Sequence, residues 1–229
     1  MKSAPWIVAL LTAAAVPALA APAAKLPAGI SVDPNTSIMT TTPAPGTHSA
    51  SVAALPPAKL KVIFDNLAEF YPNGRYTPYS AYTVFGTAAG FDTREWLGMS
   101  FSPATNATVV RLELPIKWIS GDNRAVISLR NTKHGLPGDV LQSWVVTNMI
   151  GPNTCCTVTH VVSAGIPVQA GKRYWVVLTN DTGHDNTYLG WQANVTEPLL
   201  LTPMAHEEGE GWTIQTQSPA PALAVYGSP

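Results

Sequence analysis

The chain has 229 residues, of which 13 are basic and 14 acidic, so its formal net charge is −1 at neutral pH. Because no cluster of Lys or Arg occurs along the sequence, there is no electrostatic basis for binding nucleic acid or an anionic membrane. Charged residues make up only 12% of the chain, a balance that favours short strands joined by turns over helices. We therefore expect a mostly β protein.

The first 20 residues have the features of an export signal. Lys2 is followed by an apolar stretch at residues 6–16 and by Ala-Leu-Ala at residues 18–20, a small-x-small sequence that signal peptidase prefers. An uncleaved anchor is the alternative, because residues 3–24 carry no charge and could cross a bilayer core. Pro17 and Pro22 would interrupt a spanning helix and favour cleavage. We expect an exported protein, secreted or periplasmic, with no membrane segment after cleavage.

Residues 21–59 are rich in Pro, Ala, Thr and Ser and lack aromatic residues and sustained periodicity. Such a segment buries too little apolar surface to offset the entropy lost on ordering it. We predict a flexible or polyproline-like spacer, and a pro-segment would have the same composition. Residues 60–229 then form a single predicted domain.

From residue 60 onward the sequence has the alternating pattern of strands. In the clearest one, residues 110–117, apolar residues at even positions alternate with Arg111, Glu113 and Lys117, which predicts one buried and one wet face. Further strands are predicted at residues 62–64, 97–101, 125–129, 140–148, 157–162, 173–180, 198–201, 211–215 and 223–227. Between them lie turn signals, including residues 163–165 and a type II turn centred on Pro137 and Gly138. Regular strands without intervening helices predict an all-β, antiparallel, jelly-roll-like β-sandwich.

The most specific pattern lies between residues 126 and 191. It comprises Gly135 to Gly138, Trp144, Cys155, Cys156, Ala170, Gly171, Tyr174, Trp175 and Trp191. This pattern resembles a family of exported bacterial β-sandwich domains called choice-of-anchor domains, whose members end in different surface-sorting signals. The resemblance covers residues 60–195 and implies the fold and an exported location, and the family has no established catalytic residues. The chain departs from the family because we find no sorting signal in its last residues.

The two cysteines of the chain, Cys155 and Cys156, are adjacent. Neighbouring Cα atoms lie about 3.8 Å apart across a trans peptide, closer than the roughly 4.4 to 6.8 Å usual for a disulfide. A bridge between them is therefore strained and easily reduced. Three states stay open: an adjacent disulfide, two free thiols, or a bridge between chains. We favour the adjacent disulfide in an oxidising compartment, because the chain has no third cysteine.

Aromatic residues in loops are candidates for ligand binding. Sandwich domains that bind sugars use exposed rings with hydrogen-bonding side chains nearby. The candidates here are Tyr76, Tyr79, Tyr188 and Trp212. Other aromatic residues are predicted to belong to the core, namely Trp144, Trp175 and Trp191.

The loop at residues 180–186 is a candidate metal site. Asp181 and Asp185 supply oxygen ligands of the kind that Ca²⁺ selects, and calcium commonly stabilises such loops outside the cell. The spacing differs from that of an EF-hand, and a plain turn requires the same residue types. Calcium is therefore a candidate cofactor beside the alternative of a plain turn.

The sequence contains no nucleophile elbow, phosphate-binding loop or dinucleotide fingerprint, so we assign no catalytic residue. We predict an extracellular or cell-surface interaction module whose partner is a polysaccharide or another surface protein. Two alternatives stay open. One is a glycan hydrolase using two carboxylates from residues such as Asp92, Glu95 or Glu113. The other is a purely structural protein of an envelope or matrix.

Overall fold

A computed structural model describes most of the chain from residue 60 onward, with two short segments before it. The described ranges are 30–33, 38–41, 60–67, 80–151, 159–194, 204–207, 211–215 and 219–228. Within them, the first eight strands are β1 (Ile30–Asp33), β2 (Ile38–Thr41), β3 (Lys61–Asp65), β4 (Ser80–Phe85), β5 (Trp96–Phe101), β6 (Ala107–Leu114), β7 (Ile116–Ser120) and β8 (Arg124–Lys133). The next seven are β9 (Leu136–Thr147), β10 (Thr159–Val168), β11 (Tyr174–Asn180), β12 (Tyr188–Gln192), β13 (Met204–Glu207), β14 (Trp212–Gln215) and β15 (Ala224–Ser228). A short 3-10 turn, Thr87–Ala89, follows β4.

The strands form three antiparallel sheets. The five-stranded sheet has the order β1-β2-β4-β12-β7, the four-stranded sheet β10-β6-β15-β3, and the six-stranded sheet β14-β13-β5-β11-β8-β9. Side chains from all three sheets meet in one apolar core. The predicted all-β antiparallel sandwich is confirmed.

The tryptophans predicted to be in the core are buried to different extents. Trp191 is fully buried in the main core, and Trp144 is half-buried against it. Trp175 is fully buried in a smaller cluster with Val177, which Trp212 partly covers. The core prediction is confirmed for Trp175 and Trp191, whereas Trp144 packs at the margin.

Part of the predicted spacer forms regular structure. Strands β1 and β2 pair with each other in antiparallel register, and β2 also pairs with β4, where Ile38 lies opposite Tyr82. Both strands contain β-branched residues, and a Pro-Asn sequence at residues 34–35 lies between them, which favours a hairpin. These two strands lie within residues 21–59, and the assignment of that segment as a spacer stays a prediction.

The strand predicted at residues 110–117 forms two strands, β6 and β7, separated at Pro115. Leu112 and Leu114 are 0% exposed and Ile116 1%, as predicted, whereas Val110 is half-buried. The opposite face is not wet, because Glu113 is 2% and Lys117 1% exposed. Glu113 is compensated there by an ion pair with Arg111.

The turns predicted at Pro137 and Gly138 and at residues 163–165 are instead parts of strands. The tight turn between β8 and β9 is at His134 and Gly135, both with positive φ, at 53° and 84°, which is the type I′ geometry that matches strand twist. Pro137 lies within β9 opposite Thr132, on the edge of the sheet, where its missing N–H is tolerated.

Residues 163–165 lie inside β10, where the pairing with β6 shifts register between Val162 and Ile166. The sequence signals there mark a bulge instead of a turn.

The connector at residues 219–223 carries the chain into β15 and is held by side chains. Asn66 binds it at two points: its amide nitrogen donates to the Pro221 carbonyl at 3.0 Å, and its amide oxygen accepts from Leu223 N–H at 2.6 Å. From the five-stranded sheet, Tyr82 donates to the Pro219 carbonyl at 2.6 Å, and the Trp191 indole donates to the Ala222 carbonyl at 2.8 Å. The connector therefore joins the five-stranded and four-stranded sheets.

Asn66→Ala should destabilise the fold strongly, because it leaves a buried N–H and a buried carbonyl of the connector without partners. Each of the two groups costs about 1 to 3 kcal/mol, so we expect a loss of about 2 to 6 kcal/mol in the free energy of unfolding. Urea denaturation measures it. Asn106→Ala is the control, because Asn106 is exposed and accepts one bond from Ala170 N–H. Equal losses in the two variants would contradict the role of the connector.

Lys117 should make stability depend on pH. Burial lowers its pKa from 10.5 to about 8, because a poorly solvated site disfavours the charged amine. Between these pH values the unfolded chain binds more protons, so the free energy of unfolding rises with pH. Between pH 7 and pH 10, the free energy of unfolding of the wild type should rise by about 2 kcal/mol relative to that of Lys117→Met.

Urea denaturation of both proteins at the two pH values tests this. Lys133→Met, at an exposed turn position, controls for loss of a surface charge. A constant difference between wild type and Lys117→Met across the range would show that the amine titrates alike in the folded and unfolded states.

Candidate functional site

Of the aromatic candidates for ligand binding, Tyr188 is buried. It is 1% exposed, and its ring meets Phe85 and Phe91 edge-on at centroid distances of 5.9 and 5.2 Å. Burial, with a smaller contribution from Glu95, raises the pKa of its hydroxyl. Tyr188 is the first residue of β12 and not a loop residue, so it offers no open ring face to a ligand.

The other ligand candidates have different outcomes. Trp212 is half-buried against Trp175 and Val177, so part of its ring serves packing. Tyr76 and Tyr79 lie outside the described residues, as do Cys155 and Cys156 with their predicted disulfide. Ligand binding through Tyr76, Tyr79 and Trp212 stays a prediction.

The loop at residues 181–187 lies at one end of the sandwich, beside the turn at residues 121–124. Here the carboxylate of Asp181 forms an ion pair with Arg124, and Asp185 accepts from the Asn180 amide at 2.6 Å. The hydrogen bond from Arg124 lowers the pKa of Asp181. Both candidate calcium ligands are thus engaged with donors from the protein.

A second polar contact ties the same two segments together. The imidazole Nδ1 of His184 lies 2.7 Å from Asp122 Oδ2, and Asn186 exchanges hydrogen bonds with Asp122 at 3.2 and 3.3 Å. The His184 contact is the main reason that the pKa of Asp122 is lowered. We call this end, with Asp92, Asp122, Asp181 and Asp185, the acidic end.

The acidic end does not assemble a recognisable metal cage. In the described part of the chain, no group of three or more His, Cys, Asp or Glu side chains is placed to hold an ion. Asp181 and Asp185 turn to Arg124 and Asn180 instead of to each other. Calcium binding there stays a prediction, and the contacts themselves account for a stable turn.

An open groove of about 510 Å³ lies at the opposite end of the six-stranded sheet. Its polar lining includes the amides of Asn131 and Gln169, the hydroxyl of Thr132 and the cations Lys172 and Arg173, and Leu141 is among its apolar residues. These residues come from β8, β9 and the turn between β10 and β11. We call it the terminal groove.

Hydrogen bonds fix the backbone around the terminal groove. Thr132 donates its hydroxyl to the Arg173 carbonyl at 2.6 Å and accepts from the Trp175 indole at 3.0 Å. Across the turn, the Tyr174 hydroxyl accepts from Gln169 N–H at 3.0 Å. A site held in this way loses little freedom when a ligand binds.

The fold gathers cations that the sequence scatters. Lys172 and Arg173 follow β10, Lys133 ends β8, and Lys61 begins β3. Lys61 reaches the same end through a 3.4 Å bond to Thr105, in the loop whose Pro103 carbonyl accepts from Gly171 N–H. We call these four cations, with the groove, the basic end.

Comparison with protein-family models and with curated proteins finds no match to this chain. The resemblance to choice-of-anchor domains therefore stays a prediction. No helix among the described residues is both long and apolar enough to cross a membrane.

Proposed function

We propose that this chain is an exported, non-catalytic β-sandwich that binds polysaccharide, with the terminal groove as its binding site. The observation that carries the proposal is the groove itself, which is open, has a fixed backbone and places side-chain amides beside an apolar wall. Sugars are recognised by hydrogen bonds to their hydroxyls and by apolar contact with their ring faces, and this lining offers both.

Binding is favoured over cleavage by the chemistry of the lining. Glycoside hydrolysis requires two carboxyl groups across the bond, about 5 to 9.5 Å apart, and no carboxylate lines the groove among the described residues. Of the acids considered for a hydrolase, Glu95 is bonded to Thr83 and Glu113 to Arg111, both buried. Asp92 lies at the opposite end. No described contact favours a hydrolase.

Export rests on the signal-like residues 1–20 and agrees with the adjacent cysteines in an oxidising compartment. The protein recovered outside the cytoplasm should begin at Ala21, and its cysteines should resist alkylation unless a reductant is added. Intact mass spectrometry with and without alkylation measures both. A full-length product with two alkylated thiols would contradict export and the adjacent disulfide together.

The groove is tested by substitutions of exposed residues. Gln169→Ala with Leu141→Ala removes an amide and an apolar contact, so affinity for a bound polysaccharide should fall about tenfold, or about 1.4 kcal/mol. Affinity electrophoresis in gels containing single polysaccharides measures it. Ser143→Ala with Val145→Ala, on the same strand outside the groove, is the matched control.

Retained affinity in the groove variant would place the site elsewhere. Absence of binding to any neutral or acidic polysaccharide would contradict the function, and binding to another surface protein in its place would support the protein-partner alternative.

A further inference from the structure

The two ends of the sandwich carry opposite charge. At the basic end, the described side chains contribute Lys61, Lys133, Lys172 and Arg173, against the carboxylate of Asp139. The Asn131 amide nitrogen donates to that carboxylate at 3.2 Å, and its amide oxygen accepts from Asp139 N–H at 2.7 Å. These hydrogen bonds hold the Asp139 carboxylate within the β8–β9 hairpin, and the four cations outnumber its single negative charge.

The acidic end differs because several of its charged side chains contact partners within the protein. Arg124 pairs with Asp181, and the imidazole of His184 contacts Asp122. Arg94 lies over the Trp96 ring, 4.1 Å from its centroid. Charges at this end are therefore used to hold the loops together.

The cations at the groove are not used in this way. Lys172 and Arg173 are exposed, and within the described residues neither side chain has an ion-pair partner. They flank the hydroxyl of Thr132 and the amides of Asn131 and Gln169 in one groove. A ligand in that groove would meet two uncompensated positive charges beside neutral hydrogen-bonding groups.

We infer that the terminal groove binds an acidic polysaccharide, whose carboxylate or sulfate groups pair with Lys172 and Arg173 while the Gln169 amide binds its hydroxyls. This inference rests on the proposed function and specifies its ligand. Charge-assisted hydrogen bonds are stronger than neutral ones. The planar guanidinium of Arg173 can bind a carboxylate or a sulfate with two parallel bonds.

A polysaccharide fits the groove better than a nucleic acid does. Single-stranded nucleic acids need aromatic rings on which bases stack, and the tyrosine at this groove, Tyr174, is only 7% exposed. Its ring is stacked in the core on Phe101, with centroids 5.8 Å apart. The apolar wall at Leu141 suits a sugar ring face.

The test uses matched polymers and the purified protein. Polygalacturonate is compared with its fully methyl-esterified form, which has the same backbone without charge, and dextran sulfate is compared with dextran. We expect at least tenfold tighter binding to the charged member of one pair, and the two pairs distinguish carboxylate from sulfate. Binding should weaken as salt is raised from 50 to 500 mM, because added ions screen exposed charges.

The variant Lys172→Gln with Arg173→Gln should lose about tenfold or more in affinity for the charged polymer, with little change for the neutral one. Thr147→Asp with Thr182→Asp alters net charge by the same amount at exposed positions of the acidic end. This control should retain most of the affinity. Unchanged melting temperatures would show that both variants fold.

The outcomes separate the inference from the proposed function. Equal binding of charged and neutral polymers, unaffected by Lys172→Gln with Arg173→Gln, would overturn the inference and leave polysaccharide binding intact. Absence of binding to all four polymers would overturn both. Binding to single-stranded DNA as tight as to the acidic polymer would show that the groove reads charge alone, which would also overturn the inference.

Discussion

The architecture depends on how the connector at residues 219–223 is held between two sheets. Its backbone polar groups are buried, and a buried group without a partner costs about 1 to 3 kcal/mol. Asn66 supplies both a donor and an acceptor from the end of β3, while Tyr82 and Trp191 supply donors from the five-stranded sheet. With these groups satisfied, the connector can deliver β15 to the middle of the four-stranded sheet, where it pairs with β3 on one side and β6 on the other.

Aromatic packing covers part of the outer face of two of the sheets. On the six-stranded sheet, Trp175 and Val177 are covered in part by Trp212, and on the five-stranded sheet Tyr188 is packed beneath Phe91. Aromatic area that a flat binding face would expose is thereby used for packing. The two ends then differ. Charged side chains of the acidic end contact one another between loops, whereas Lys172 and Arg173 of the basic end line an open groove.

Local sequence patterns predicted the positions of many strands, but they did not predict which strand faces are covered by other parts of the fold. Alternation over residues 97–101 predicted β5, whose Leu97 and Met99 are fully buried. Alternation over residues 110–117 predicted a wet face with Glu113 and Lys117, yet both are buried. Periodicity alone cannot show whether a second layer covers a sheet. His134 gave no turn signal because positive φ is uncommon for residues other than glycine. The basic end could not be read from the sequence, because Lys61 and Lys133 are brought to the same end as Lys172 and Arg173 only by the pairing of distant strands.

The central position of β15 has a consequence for the order in which the chain can fold. The Tyr226 hydroxyl in this strand donates to Glu113, 113 positions away in the sequence, and Leu223 N–H donates to Asn66, 157 positions away. A polypeptide threaded through a translocation pore from its N-terminus would release β3 and β6 long before the strand that lies between them. Until residues 219–228 emerge, two strand edges remain open, and a chaperone that shields such edges would act during that interval.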